Sequence, residues 1–131
     1  MPWIYEPSPD KKHKRGWDQA QPGFVVEKGE EVGKCPANMS IETAETLLND
    51  ENRIEYSPLR WPHSYPDRIY NIHGGQLYRA TPTVPGRSYH GFPESPAKAH
   101  KLPREVKLRI LALARILHCG DEVSRCLKGK S

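Results

Sequence analysis

The densest run of residues suited to acid–base chemistry lies between positions 71 and 90, where His73, Tyr78, Arg79, Arg87, Ser88 and His90 occur together. Cleaving RNA without a metal needs a base for the 2′-hydroxyl, an acid for the departing 5′-oxygen and a cation beside the phosphoryl oxygens. Histidine, tyrosine and arginine supply those groups. On this reading His90 is a general base or acid, His73 or Tyr78 is its counterpart, and Arg79 and Arg87 are the cations. Ser88 has the lesser role of orienting substrate. A structural alternative accounts for the same residues: His73 precedes a turn, Arg79 pairs with a carboxylate such as Glu94, and His90 is a satisfied strand residue.

Other chemistries have less to build on. The six histidines, at 13, 63, 73, 90, 100 and 118, contain no His-x-x-x-His or His-Glu-x-x-His spacing, and no Cys-x-x-Cys pair exists to start a zinc site. A Gly-x-x-x-x-Gly-Lys phosphate loop is also missing, so no metal or cofactor is expected. Cys35 precedes Pro36 and lies five residues before Ser40, too far for a helix terminus to activate its thiol. Cys119 and Cys126 are seven apart with Gly120 between them, and are read as reduced structural thiols.

Those candidate residues need elements to hold them. Residues 68–81, RIYNIHGGQLYRAT, place two β-rich runs on either side of Gly74-Gly75, the signature of a two-residue hairpin turn. The implied pairs are His73 with Gln76, Ile72 with Leu77, Asn71 with Tyr78, Tyr70 with Arg79 and Ile69 with Ala80. Alternation puts Tyr70, Ile72, Leu77 and Arg79 on a core face and leaves Ile69, Asn71, His73, Gln76, Tyr78 and Ala80 on a partly exposed one. Arg87–Phe92 is a third strand, with Ser88 and His90 on one side and Arg87 and Tyr89 on the other. A helix over 103–119 buries Val106, Ile110, Leu113 and Leu117, widened by Leu108, Leu111 and Ile116, and stops at Gly120. Arg104, Lys107 and Arg115 lie on its exposed side as candidate nucleic-acid contacts. Ser40 caps a shorter helix that carries Ile41, Ala44, Leu47 and Leu48 and ends at Asn49-Asp50. Phe24–Val26 reads as a strand with Glu27-Lys28-Gly29 as its turn, YSPLRWPHSYP (56–66) as an aromatic loop, and 121–131 as a short turn with a basic end.

The predicted fold is therefore α+β: a small antiparallel sheet of about three to four strands, one long C-terminal helix and one short helix. A chain of 131 residues with 36% hydrophobic and 27% charged residues fits one such domain, residues 23–131. Residues 1–22, with prolines at 2, 7, 9 and 22, tryptophans at 3 and 17 and a basic run at 11–15, read as an extended arm lying against it. No window holds 18 consecutive apolar residues, and the N-terminus lacks the apolar stretch of a cleavable signal, so a cytoplasmic protein without membrane contact is expected. Charge is uneven. Residues 67–131 hold twelve Lys/Arg against five Asp/Glu, whereas residues 23–66 hold four against eight. Such a basic half suits a polyanion such as RNA, or an acidic protein partner.

The order GKCPANMS, a helix with Leu-Leu, a proline and aromatic loop, IYNIHGGQLYRATPT, GRSYHGFP and LPREV resembles, over residues 33–106, the small C-terminal toxin modules of bacterial polymorphic toxin, contact-dependent and type VI effector systems. That resemblance implies a nuclease, deaminase or ADP-ribosyltransferase neutralised by a cognate immunity protein. The deaminase ligands His-x-Glu and Pro-Cys-x-x-Cys are missing. LYRAT (77–81) resembles the arginine-bearing strand of ADP-ribosyltransferases, but no Glu-x-Glu strand follows. Three expectations stand in order: a metal-independent ribonuclease toxin or effector, a non-catalytic nucleic-acid- or protein-binding interaction protein, and an ADP-ribosyltransferase. A catalyst requires His73 or His90 to converge with Arg79 or Arg87, whereas a binder requires only a basic surface.

Overall fold

The structure, a computed structural model, describes residues 2–6, 23–27, 30–34 and 40–129. Its centre is the hairpin of β5 (Arg68–His73) and β6 (Gln76–Val84), and all five pairs implied by Gly74-Gly75 form as expected. Both glycines have positive φ, 59° and 80°, the backbone that a primed turn demands and that lacks a steric cost only for glycine. On one side β5 pairs antiparallel with β4 (Ile54–Tyr56); on the other β6 pairs antiparallel with β7 (Ser88–Pro93). A separate antiparallel pair joins β2 (Gly23–Glu27) to β3 (Glu30–Lys34); Glu27 belongs to β2, and Lys28 and Gly29 of the expected turn lie outside the described residues.

Two features overturn the antiparallel, two-helix expectation. First, β1 (Ile4–Tyr5) adds to the free edge of β7 in parallel, which makes the sheet five-stranded and mixed, in the order β1-β7-β6-β5-β4. Ile4 N–H donates to the Arg87 carbonyl at 3.2 Å and Glu6 N–H to the Tyr89 carbonyl at 2.9 Å, which covers an edge that would otherwise expose unpaired backbone groups. Ile4 and Tyr5 of the expected arm thus join the main sheet as its edge strand; residues 7–22, Trp17 among them, and Cys35 lie outside the described residues. Second, among the described residues the helices of more than one turn number three: α1 (Ile41–Asn49), α3 (Arg104–Ile116) and α4 (Gly120–Leu127), with the single turn α2 (Pro96–Ala99) before α3.

Gly120 opens α4 instead of capping α3. The reversal is made by His118, whose φ of 62° is left-handed. His118 N–H donates to the Arg115 carbonyl at 3.1 Å and Cys119 N–H to the Ala114 carbonyl at 2.9 Å, the two bonds of a Schellman motif. Asp121 and Glu122 then sit in the first turn of α4, and Val123 and Leu127 are buried one turn apart, a helix start and an inward stripe. Leu117 falls in the reversal and is 46% exposed, contrary to expectation, while Leu108 and Ile116 point outward at 54% and 67%. Val106, Ile110 and Leu113 are buried as expected.

Both faces of the sheet carry a core. Ile54, Tyr70, Ile72 and Leu77 pack beneath Leu102, Val106, Ile110, Leu113, Val123 and Leu127. The opposite face, expected to be partly open, buries Ile69, Ala80 and Tyr89 with Leu48 of α1, and Trp3 and Tyr5 pack against that cluster. Ser40 caps α1 as expected by accepting from Thr43 N–H at 3.0 Å. At the other end Asn49 fixes the N-terminal segment: its Oδ1 accepts from Trp3 N–H at 2.7 Å and its Nδ2 donates to the Trp3 carbonyl at 2.9 Å. Trp3 then meets the Tyr89 ring edge-on at 5.1 Å, so this tryptophan lies on the body.

Candidate functional site

Strand parity and one bulge build the site around His90. Thr81 faces His90 across the β6–β7 ladder, and the register slips between Pro82 and Val84, which leaves Thr83 as an extra residue of the kind that re-aims a side chain. Both threonines reach the same imidazole. Thr81 Oγ1 lies 3.0 Å from Nε2 and Thr83 Oγ1 lies 2.7 Å from Nδ1. The Thr83 hydroxyl also donates to the Glu6 carbonyl at 2.8 Å. Having given its one proton there, it must accept from His90, so Nδ1 carries the hydrogen and Nε2 is the basic nitrogen that receives the Thr81 hydroxyl. The result is an imidazole of fixed tautomer and orientation, half-buried on the sheet.

Arg79 lies on the same face, and Phe92 links the two residues. The guanidinium carbon sits 4.7 Å from the Phe92 ring centre, and that ring stacks on His90 at 6.3 Å. However, Arg79 is buried, and its Nη1 is 3.6 Å from Glu94 Oε2, as in the structural alternative raised from sequence. Glu94, 1% exposed, also accepts from Ser95 N–H at 3.1 Å and from the Tyr70 hydroxyl at 3.4 Å. Burial pushes the Glu94 carboxyl above the usual carboxylate range, with Arg79 pulling the other way. Burial likewise pushes the Tyr70 phenol up to about 12, and Glu94 adds to the shift. The Arg79 Nε–H is buried without an acceptor among the described residues. This arginine is held within the protein by its carboxylate and its aromatic ring.

The remaining candidates separate. His73 is exposed at the hairpin turn, at the end of the ladder opposite to His90. Tyr78 is buried on the other face, where it lines a small cavity of about 40 Å³ beneath α1 with Leu47, Leu48 and Asn71. Neither faces His90 as its acid–base counterpart. Ser88 is fully buried and its Oγ accepts from Val84 N–H at 3.1 Å, closing the β6–β7 turn away from any substrate. Arg87 is exposed in that turn, at the end of the sheet near His90. On α3, Arg104 and Arg115 are exposed as expected, and Lys107 is half-buried. Cys119 and Cys126 are free thiols, with burial pushing the Cys119 thiol up.

Sequence reasoning missed Thr81 and Thr83, although their places two and four residues after Arg79 predict one shared face on β6. It also left the aromatic loop without a role. Residues 57–66 cross the end of the sheet where β7 begins: the Tyr89 hydroxyl donates to the Pro66 carbonyl at 2.5 Å, and Gly86 abuts the Tyr65 ring. Among the described residues no three His, Cys, Asp or Glu side chains gather as a metal site would require, and no helix is long and apolar enough to cross a membrane. No family model, no curated protein and no solved structure matches this chain.

Proposed function

We propose that this protein is a toxin or effector module that cleaves RNA by 2′-hydroxyl attack, with His90 as the acid–base group. The observation that carries this reading is the Thr81–His90–Thr83–Glu6 chain, which presets the imidazole with Nε2 basic and Nδ1 as donor. A base oriented in this way by a third group is the arrangement that general-base catalysis uses. With the Thr81 hydroxyl turned aside, Nε2 takes the 2′-hydroxyl proton, the 2′-oxygen bonds to phosphorus as the P–O5′ bond breaks, and the leaving 5′-oxygen takes its proton from solvent, giving a 2′,3′-cyclic phosphate. Exposed Arg87, at the same end of the sheet, supplies the cation; Arg79 tunes the site from beneath Phe92. The likeness of residues 33–106 to bacterial toxin modules supports the same reading and adds an immunity protein as partner.

The test is purified protein with total RNA in EDTA. Cleavage persists, leaves cyclic phosphate ends and spares a substrate lacking the scissile 2′-hydroxyl, and His90→Ala slows it by about 10²- to 10⁴-fold. Cleavage of the deoxy-substituted substrate overturns the mechanism.

A second reading, a non-catalytic interaction protein, is favoured by the outer side of α3. There Leu108 and Ile116 are exposed beside Arg104, Arg109 and Arg115, a mixture suited to an acidic protein surface with an apolar ridge. RNA binding with a steep salt dependence that flattens in Arg104→Gln/Arg115→Gln would assign those arginines to phosphates instead.

A further inference from the structure

The loop between β4 and β5 has no regular secondary structure, yet side-chain and turn bonds brace it. Ser57 Oγ accepts from Asp67 N–H at 3.0 Å and joins its two ends. Inside, Trp61 N–H donates to the Pro58 carbonyl at 2.9 Å and the Trp61 indole N–H to the Tyr65 carbonyl at 2.6 Å. Tyr89 holds it to the sheet through Pro66. Such closure makes a compact Ω-type loop, a class frequently used for function.

Three rings are arrayed on this frame. His63 stacks on Tyr65 with centres 5.0 Å apart and planes 11° off parallel, and both stand edge-on to Trp61 at 4.8 and 5.7 Å. Together they wall a groove of about 330 Å³ into which Glu55, Ser57 and Ser64 also open. Tyr65 and Trp61 are half-buried and His63 is exposed, so the aromatic stack ends at the surface. Glu55 is held in place by Arg53, whose Nε lies 3.0 Å from its Oε2. A flat heterocycle fits all of these features. Its face continues the Tyr65–His63 stack, while a carboxylate and two hydroxyls meet the N–H and carbonyl groups of its edge. A proline-rich peptide would use the rings but does not present two adjacent N–H donors on one flat edge to the carboxylate. Arg60 in the loop and Arg87 in the adjoining β6–β7 turn are exposed cations for the flanking phosphates.

We infer that this groove is a nucleobase site for single-stranded RNA, which seats one base on His63 next to the turn that leads into His90. The inference rests on the RNA reading above and adds the recognition element to it. A carboxylate acceptor favours bases that present two N–H donors on one edge, which guanine does.

Fluorescence anisotropy with labelled single-stranded 2′-O-methyl RNAs, which 2′-hydroxyl attack cannot cleave, tests it at fixed ionic strength. Wild-type protein binds, guanine-containing strands bind best, His63→Ala weakens binding about 5- to 100-fold, as loss of one stacked base does, and His63→Phe restores it. Melting temperature stays unchanged because His63 is exposed. Binding by His63→Ala within twofold of wild type overturns the site, as does absence of binding at low salt. Displacement of the RNA by a proline-rich peptide of higher affinity also overturns it. If RNA is cleaved in EDTA at wild-type rate by His63→Ala, the groove fails alone. If binding depends on His63 but no RNA is cleaved, the groove stands and the cleavage reading fails.

Discussion

Thr83 and His90 are joined by a hydrogen bond whose direction is set by a third group: Thr83 Oγ1 is 2.7 Å from Nδ1, and its only proton goes to the Glu6 carbonyl at 2.8 Å. A backbone carbonyl on the N-terminal segment therefore selects the tautomer of an imidazole on β7. Thr83→Val removes the acceptor. Two-dimensional ¹⁵N–¹H NMR of the histidine rings should show His90 as the Nδ1–H form in wild type and a mixture of tautomers in the variant. RNA cleavage in the variant should fall with the fraction of correct tautomer. An unchanged tautomer would mean that the Thr83 acceptor does not set it.

The Arg79–Glu94 pair makes an energetic prediction. Glu94→Gln leaves a buried guanidinium without its counter-charge and should destabilise the fold by about 3–5 kcal/mol. Replacing both residues, Arg79→Met with Glu94→Leu, removes the stranded charge and should cost less than Glu94→Gln alone. Urea unfolding of the three variants measures this. A double variant less stable than Glu94→Gln would show that the two side chains do more than compensate one another.

Alkaline unfolding should report on Tyr70. Its phenol is pushed from the ordinary value of 10 up to about 12 by burial first and by Glu94 second, so the folded state holds the proton through a range in which the unfolded chain releases it. Stability is therefore fully present below pH 10 and is lost as pH rises toward 12, by about 2–3 kcal/mol for this group. Tyr70→Phe should flatten that part of the profile. Tyr89, also pushed up by burial, keeps a residual slope. An unaltered profile in Tyr70→Phe would assign the alkaline loss to other groups.

Two leucines four residues apart on the same helical sequence should differ in stability effect. Leu113 is buried in the α3 core, and Leu113→Ala should cost about 2–5 kcal/mol. Leu117, in the α3–α4 reversal and 46% exposed, should cost about 1 kcal/mol or less, as exposed positions do. Equal losses on thermal unfolding would place Leu117 in a core after all.

His118 holds the left-handed position of that reversal with φ of 62°. His118→Gly removes the steric cost of this conformation, about 1–2 kcal/mol, and incurs part of it back as unfolded-state entropy. A net gain of about 0.5–1 kcal/mol is expected in Tm measurements. A loss would mean that the imidazole contributes more than its backbone conformation costs.

By itself the sequence determined whatever depends on neighbours along the chain. Gly74-Gly75 between two β-rich runs sets the β5–β6 register, because the side-chain period of two admits only one pairing around a two-residue turn. Ser40 and the Ala44–Leu48 spacing specify α1, and Val106, Ile110 and Leu113 specify the inward face of α3. Even the Arg79–Glu94 pair was foreseeable as a charge needing an opposite charge. Tertiary structure decided the rest. A two-residue strand has no periodicity to read, so β1 exists only because the β7 edge offers it unpaired backbone groups. Tyr78 is buried beneath α1 on the side of the sheet away from His90, and the hairpin carried His73 to the far end of the ladder. The partners that orient His90 come from a bulge in β6 and from Glu6, 84 positions earlier in the chain. No local pattern encodes such a contact, because it forms only when the sheet has brought the two segments together.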